Sequence, residues 1–340
     1  MDHVKKQINV GVIGYGFSAT TFHIPFFQAL LEYELKKIVT RQQIDSTFTD
    51  IMVTSNLDDV LQDPNIDLIV ITTPGHLHYE QAKAALEHNK HVVVEKPFVL
   101  DMRQGQELID LAKQRNKLLT VYHNRRWDSD FLTIRQLLSE KILGDITYFD
   151  ARFDRFRPIV KDRWKESDVP GAGAVWDLGC HLIDQAIQLF GRPDEVSADI
   201  ALQRKGAKSP DYFQILMKYQ QGLRVVLGSN SVCLAPGPKF QIHGTKGSFV
   251  KWGVDPQEHT LFNTKKFVED EEWGQESADI YGQLSLWEND QVVSKIVPSA
   301  KGAYQDFYKN LACSIFSETL LPPIDPQDAL YITQILQNLK

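Results

Sequence analysis

Between Ile8 and about His123, short and almost continuously apolar runs alternate with stretches of helical periodicity, and this rhythm limits the possible folds more than any other feature. The runs cover residues 8–13, 35–40, 68–72, 91–94 and 118–121, with 52–54 a weaker candidate. Apolar along their length, they read as parallel strands covered from both sides. Between them, residues 57–61, 78–88 and 102–115 space their apolar side chains by three and four, with Asp101 placed as an N-cap and Asn89 as a C-terminal stop. Strand–helix alternation of this kind implies right-handed crossovers and a doubly wound α/β sheet, whose ligand crevice lies beyond the carboxyl ends of the strands.

Past His123 the period changes. A helix over 131–140 precedes segments at 146–156, 197–202, 212–219 and 223–232 that alternate with period two, as in a large open sheet, mixed or antiparallel, with one face differently covered. A helix over 178–190 ends at Gly191, where a left-handed cap fits, and helices near 304–317 and 326–338 close the chain. A length of 340 residues exceeds what one hydrophobic core usually organises. The expected division is a Rossmann domain over 1–122 and a second α/β domain over 123–340, the last helix being a candidate to pack back on the first.

Composition removes several classes of function. Net charge is −7 with no basic run, so nucleic acid is not an expected partner and any phosphate must be met by a local site. No stretch approaches the roughly 20 apolar residues of a membrane span. Cys180, Cys233 and Cys313 are widely spaced and odd in number, unsuited to a disulfide framework or a metal site. With no secretory apolar core near the start, the cytoplasm is the expected location.

Gly14-Tyr15-Gly16-Phe17-Ser18-Ala19 follows the first strand directly. In a dinucleotide site Gly14 permits the tight turn, Gly16 admits a pyrophosphate to the backbone, and Ala19 allows close helix–strand packing at a helix N-terminus. The second run ends Val39-Thr40-Arg41-Gln42, with no carboxylate before Asp45 to bind the ribose of NAD. Arg41 and the Thr40 hydroxyl suit a 2′-phosphate, which favours NADP over NAD. The alternative is a solvated arginine beside Lys36 and Lys37. Thr72, Thr73 and Pro74, with His76 and His78, follow the next long run at the cofactor edge. Their hydroxyls suit ribose or phosphate, and two histidines without a third ligand read as turn and cap residues rather than a metal site.

Glu95-Lys96-Pro97 ends the following strand, where a lysine can donate to a substrate oxygen and depress the pKa of a neighbouring acid. In Asp177-Leu178-Gly179-Cys180-His181-Leu182-Ile183-Asp184, Asp177 and His181 share one helix face, with Asp177 at or near the N-cap. His181 has the properties of a general base for an alcohol proton. Asp184 either holds the imidazole or is structural. The Gly171-Ala172-Gly173-Ala174 loop upstream suits close approach by a ligand.

The set Gly11…Gly14-Tyr15-Gly16…His23-Ile24-Pro25, Thr73-Pro74…His78, Glu95-Lys96-Pro97 and Asp177 to Asp184 resembles the glucose–fructose oxidoreductase / inositol dehydrogenase / rhizopine-catabolism (Gfo/Idh/MocA) family over nearly the whole chain. Asn124-Arg125-Arg126-Trp127-Asp128 and Arg163-Trp164 are similar to its NADP-dependent scyllo-inositol dehydrogenase branch. The resemblance implies a second domain with an open sheet that forms a dimer or tetramer, a cis bond before Pro97, and a catalytic group of Lys96, Asp177 and His181. Lys96 would polarise the substrate oxygen while His181 removes the hydroxyl proton.

The expected activity is therefore hydride transfer between NADP(H) and a polyol or sugar-like alcohol, possible inositols included. Alternatives are the same chemistry on another sugar or a trans-dihydrodiol, or a non-catalytic NAD(P)-binding sensor, which would typically lack the lysine or the histidine. Candidate pocket residues besides the catalytic group are Arg125, Trp127 and Trp164, with Arg152, Arg155 and Arg157 behind them. Each could equally be a domain-interface or surface residue.

Overall fold

The computed structural model describes residues 7–44 and 50–339, so Asp45 lies outside the described residues. Contacts divide the chain into two units: Met1–Asn124 with Gln257–Asp270 and Tyr304–Thr333, and Arg125–Pro256 with Glu271–Ala303 and Gln334–Lys340.

The first unit is built on β1 (Ile8–Ile13), β2 (Tyr33–Val39), β3 (Met52–Thr54), β4 (Leu68–Ile71), β5 (His91–Glu95) and β6 (Leu119–Tyr122), all parallel, in the order β3-β2-β1-β4-β5-β6. Winding reverses between β1 and β4, which places the ligand crevice of such a sheet where these two strands end. Helices α1 (Ile24–Ala29), α2 (Asp58–Leu61), α3 (His78–Glu87) and α4 (Met102–Gln114) alternate with the strands. Ile69, Ile71, Val92 and Val94 pack into one buried cluster with Ala82, Ala85 and Leu86 of α3 and Leu108, Ile109 and Ala112 of α4. That packing explains why β4 and β5 read as unbroken apolar runs. Asp101 caps α4, its carboxylate accepting from the Arg103 amide at 2.7 Å.

In the second unit α5 (Ser129–Ser139) and α6 (Cys180–Phe190) accompany an eight-stranded mixed sheet. Its strands are β7 (Ile146–Arg152), β8 (Glu195–Ala201), β9 (Tyr212–Lys218), β10 (Arg224–Asn230), β11 (Phe240–Gly244), β12 (Gly247–Lys251), β13 (Gly282–Glu288) and β14 (Gln291–Val297), in the order β14-β13-β12-β11-β7-β10-β9-β8. Only β7 and β10 pair in parallel. One register row, Met217, Val225, Phe149, Ile242, Phe249 and Leu284, crosses six strands and is buried throughout. Period two in sequence thus becomes a continuous apolar stripe on one face. The strands after residue 232 were not anticipated from sequence; they extend the sheet to its β14 edge.

Helices α7 (Gln257–Thr264), α8 (Gln305–Phe316) and most of α9 (Pro326–Asn338) belong to the first unit. There Tyr308 of α8 meets the rings of Phe26, Phe27, Tyr33 and Tyr122, and Ala329 and Leu330 of α9 join the core of α3 and α4. Among the described residues no helix is long and apolar enough to cross a membrane.

Candidate active site

The turn after β1 has the geometry a dinucleotide needs. Gly14 has φ +103°, and a Cβ there would sit 2.6 Å from Thr72 Oγ1 and 3.3 Å from the Thr72 carbonyl carbon, so both the turn and the approach to β4 exclude a side chain. A Cβ at Gly16 would meet nothing within 4 Å, which leaves its backbone open to a bulky anion, and Ala19 is fully buried. Helical backbone starts at Phe17 and runs through a π turn, Ala19–His23, into α1. These residues fit a pyrophosphate at a helix N-terminus. Arg41 is exposed beside Thr40, whose Oγ1 accepts from the Gln42 amide at 3.0 Å. The hydroxyls of Thr72 and Thr73 are engaged within the unit, donating to the Ile13 carbonyl at 3.0 Å and to Gln81 Oε1 at 2.6 Å.

His76 is exposed on the 3-10 turn Gly75–Leu77, whereas His78 starts the helix that follows it. Its ring is buried, with Nδ1 2.8 Å from the Pro97 carbonyl and Nε2 2.8 Å from that of Thr73. Burial holds its pKa below the ordinary histidine value against the pull of those carbonyls. His78 therefore ties the turn after β4 to the segment after β5.

Lys96, half-buried, follows β5, and the Lys96–Pro97 bond is cis. Glu95 beside it is buried and accepts three hydrogen bonds. Its Oε1 accepts from the Ser18 hydroxyl and from His23 Nε2 at 2.9 Å, and its Oε2 from the Lys96 amide at 2.9 Å. The other nitrogen of His23 bonds the Tyr308 hydroxyl. Burial pushes the Glu95 carboxyl upward, yet His23, Lys96 and Ser18 bring it down to about 2. Ser18, expected at the cofactor, thus commits its side chain to Glu95. His23 and Tyr308 had no reading of their own in the sequence, because the bond from His23 to Glu95 spans 72 residues.

In the second unit the helix expected from residue 178 begins earlier, and Asp177 lies inside a π turn, Val175–Gly179, rather than at an N-cap. Gly173 sets this start. Its φ is +94°, a Cβ there would fall 2.9 Å from the Pro210 carbonyl oxygen, and the next amide, Ala174, donates to that same oxygen at 2.6 Å. Asp177 is half-exposed and its Oδ1 lies 2.6 Å from Lys165 Nζ. His181 is buried one helical step on. Asp184 is structural: both of its oxygens go to Arg126, at 2.6 to 3.1 Å, and Gln185 Nε2 donates to the Arg125 carbonyl at 3.0 Å. These bonds pin α6 to the 3-10 turn Asn124–Trp127.

Arg125 is held by packing partners of its own unit. Its guanidinium pairs with buried Asp128 at 3.3 Å and lies 5.0 Å from the Phe153 ring. Arg152 pairs with Asp150 at 2.9 Å and Arg155 lies 5.9 Å from the same Phe153 ring, while Arg157 is exposed. Trp127 and Trp164 are half-buried.

Comparison with known proteins agrees with this layout. A model described as "Oxidoreductase family, NAD-binding Rossmann fold" matches residues 8–123, and one described as "Oxidoreductase family, C-terminal alpha/beta domain" matches residues 135–340. The chain belongs to the Gfo/Idh/MocA oxidoreductase family. It is 39% identical over 332 residues to scyllo-inositol 2-dehydrogenase (NADP(+)) IolW of Bacillus subtilis, which covers 97% of this chain and 92% of the relative. Identity to the Escherichia coli oxidoreductase YdgJ is 41% over 336 residues, covering 98% and 96%. The solved structure of the Bacillus subtilis oxidoreductase yvaA superposes with a TM-score of 0.92 at 37% identity, covering 98% of this chain and 95% of that one. As a Gfo/Idh/MocA member the protein is an NAD(P)-dependent dehydrogenase, with the nicotinamide dinucleotide held by its Rossmann domain.

Proposed function

We propose that this dehydrogenase transfers a hydride between NADP(H) and a secondary alcohol or ketone of a polyol, an inositol being the first candidate. The observation that carries the reading is the open Gly14–Gly16 turn at the β1–β4 switch point with Lys96 close by at the end of β5, in a chain 39% identical to IolW, whose name states both scyllo-inositol and NADP(+). The nicotinamide, when bound, takes or returns the hydride. The backbone from Gly14 to Ala19 cradles the pyrophosphate, Thr40 and Arg41 receive the 2′-phosphate, and Thr72 to Pro74 with His76 border the ribose. Lys96 donates to the substrate oxygen, His181 takes the hydroxyl proton as hydride leaves carbon, and Asp177 binds the substrate. Trp127 and Trp164 line its ring. Retention of Lys96 and His181 favours an enzyme over a sensor.

The test is a panel of initial rates for scyllo-inositol, other inositols, open-chain sugars and a trans-dihydrodiol, each with NADP and with NAD. The highest kcat/KM is expected for scyllo-inositol with NADP. Lys96→Met and His181→Ala should each lower kcat by about 10²-fold or more while NADPH affinity stays nearly constant. A His181→Ala enzyme with wild-type kcat moves the base elsewhere.

The same reading places the protein in the cytoplasm as a homodimer or homotetramer through the second unit's sheet, where Trp287, Val292 and Ile296 are 61%, 66% and 59% exposed. Light scattering in dilute solution that gives the mass of a single chain overturns the assembly.

A further inference from the structure

Lys165 stands in the 3-10 turn Trp164–Glu166, and its ammonium lies 2.6 Å from Asp177 Oδ1. The two side chains are 36% and 25% exposed. An ion pair this accessible contributes at most about 1 kcal/mol to stability. Stability alone therefore does not account for how firmly the lysine is held. Its carbonyl accepts from the Gly173 amide at 2.9 Å and the Ser209 hydroxyl at 3.3 Å. The next residue, Glu166, is buried and takes the Lys161 amide at 2.9 Å and the guanidinium groups of Arg163 and Arg204. The backbone under Lys165 is thus fixed from both sides, with the Trp164 ring 5.8 Å from Nζ.

An ammonium carries three donors. Among the described residues Asp177 is the acceptor bonded to this one, so donors remain for solvent or a ligand. Acceptor and donor stand side by side at hydrogen-bond distance, which is also the separation of two gauche hydroxyl oxygens on neighbouring carbons. Building on the polyol reading above, we infer that Lys165 is a specificity-determining residue that, with Asp177, recognises a vicinal diol. Asp177 accepts from one hydroxyl while Lys165 donates to the oxygen beside it. A substrate with a single hydroxyl satisfies half of the pair and leaves the other half desolvated without a partner, which is how a polar site rejects an analogue.

The test compares scyllo-inositol with cyclohexanol on the full chain loaded with NADP. Lys165→Met should raise KM for scyllo-inositol about tenfold with kcat within about twofold, and should narrow the preference over cyclohexanol by a similar factor. Lys165→Arg, which keeps charge and donors, should recover part of the loss. An unchanged KM, or an equal loss on both probes, overturns the inference. Calorimetric binding of both probes to the NADP-loaded protein is measured alongside, because it needs no turnover. A wild type that binds scyllo-inositol without oxidising it defeats the proposed reaction, and weaker binding in Lys165→Met then still upholds the diol contact. Binding that ignores Lys165→Met, or a wild type that binds cyclohexanol as well as scyllo-inositol, defeats the diol contact even where turnover is found.

Discussion

At the end of β5, Glu95 is buried and receives the Ser18 hydroxyl, His23 and the Lys96 amide, whereas Asp177, in the π turn of the second unit, is half-exposed beside Lys165. Both are acids of the family's diagnostic motifs, yet their surroundings suit them to opposite tasks. A buried carboxylate held by three donors exchanges partners poorly, so Glu95 works as a bracket that fixes the backbone of Lys96 against the glycine turn. A carboxylate open to solvent, with a lysine that water can replace, is able to trade that partner for a ligand. Motif membership alone does not separate these roles; burial does.

The largest effect that tests this contrast is on folding. Glu95→Gln breaks a buried ionic arrangement and should cost about 3 kcal/mol or more of stability, read from denaturant unfolding. Asp177→Asn should cost about 1 kcal/mol or less and instead lower kcat by about 10²-fold. Equal stabilities for the two variants would erase the distinction. A gentler probe is acid. The folded pKa of Glu95 is depressed, so its contribution, about 3 kcal/mol, is fully present above its ordinary value of 4.5 and is lost as pH falls towards 2. His91 gives an earlier limb of the same sign. Burial, aided by Lys117, lowers it from 6.5 to about 4, so the stability of its neutral form is lost across that interval. Wild type should therefore lose stability in two stages on acidification, Glu95→Gln should lack the lower one, and Asp177→Asn should keep both.

Much of the first unit was legible in sequence because strands such as β1, β4 and β5 are covered on both faces: β1 falls at the residues its apolar run marks and β4 and β5 within one residue of theirs. In contrast β3, the weaker candidate, is largely exposed, and α9 spans 326–338 as its spacing indicates. The far edge of the second sheet was not. Nearly every side chain of β14 is exposed, so no burial imposes alternation on Gln291-Val292-Val293-Ser294-Lys295-Ile296-Val297. At the site, the glycine turn and the Lys96, Asp177 and His181 motifs stand out as local patterns, while their supports do not. His23 reaches Glu95 through the fold, Arg126 reaches Asp184 from another element, and Lys165 lies in a loop without periodicity. The N-cap expected at Asp177 failed for a related reason, since a search for 3.6-residue spacing is blind to a π turn.

Those π turns, Ala19–His23 and Val175–Gly179, lie on the paths into α1 and α6. Each stores one surplus residue relative to a regular helix. Excising that residue would close an uninterrupted α-helix, yet the residues inside the turn would be brought one position closer and their side chains re-aimed by up to a helical step, about 100°. The glycine loop would then lose its register with His23, or Asp177 with His181, although no functional side chain had been altered. At these two points the length of the chain is itself part of the site, and a one-residue deletion is a graver change than most substitutions.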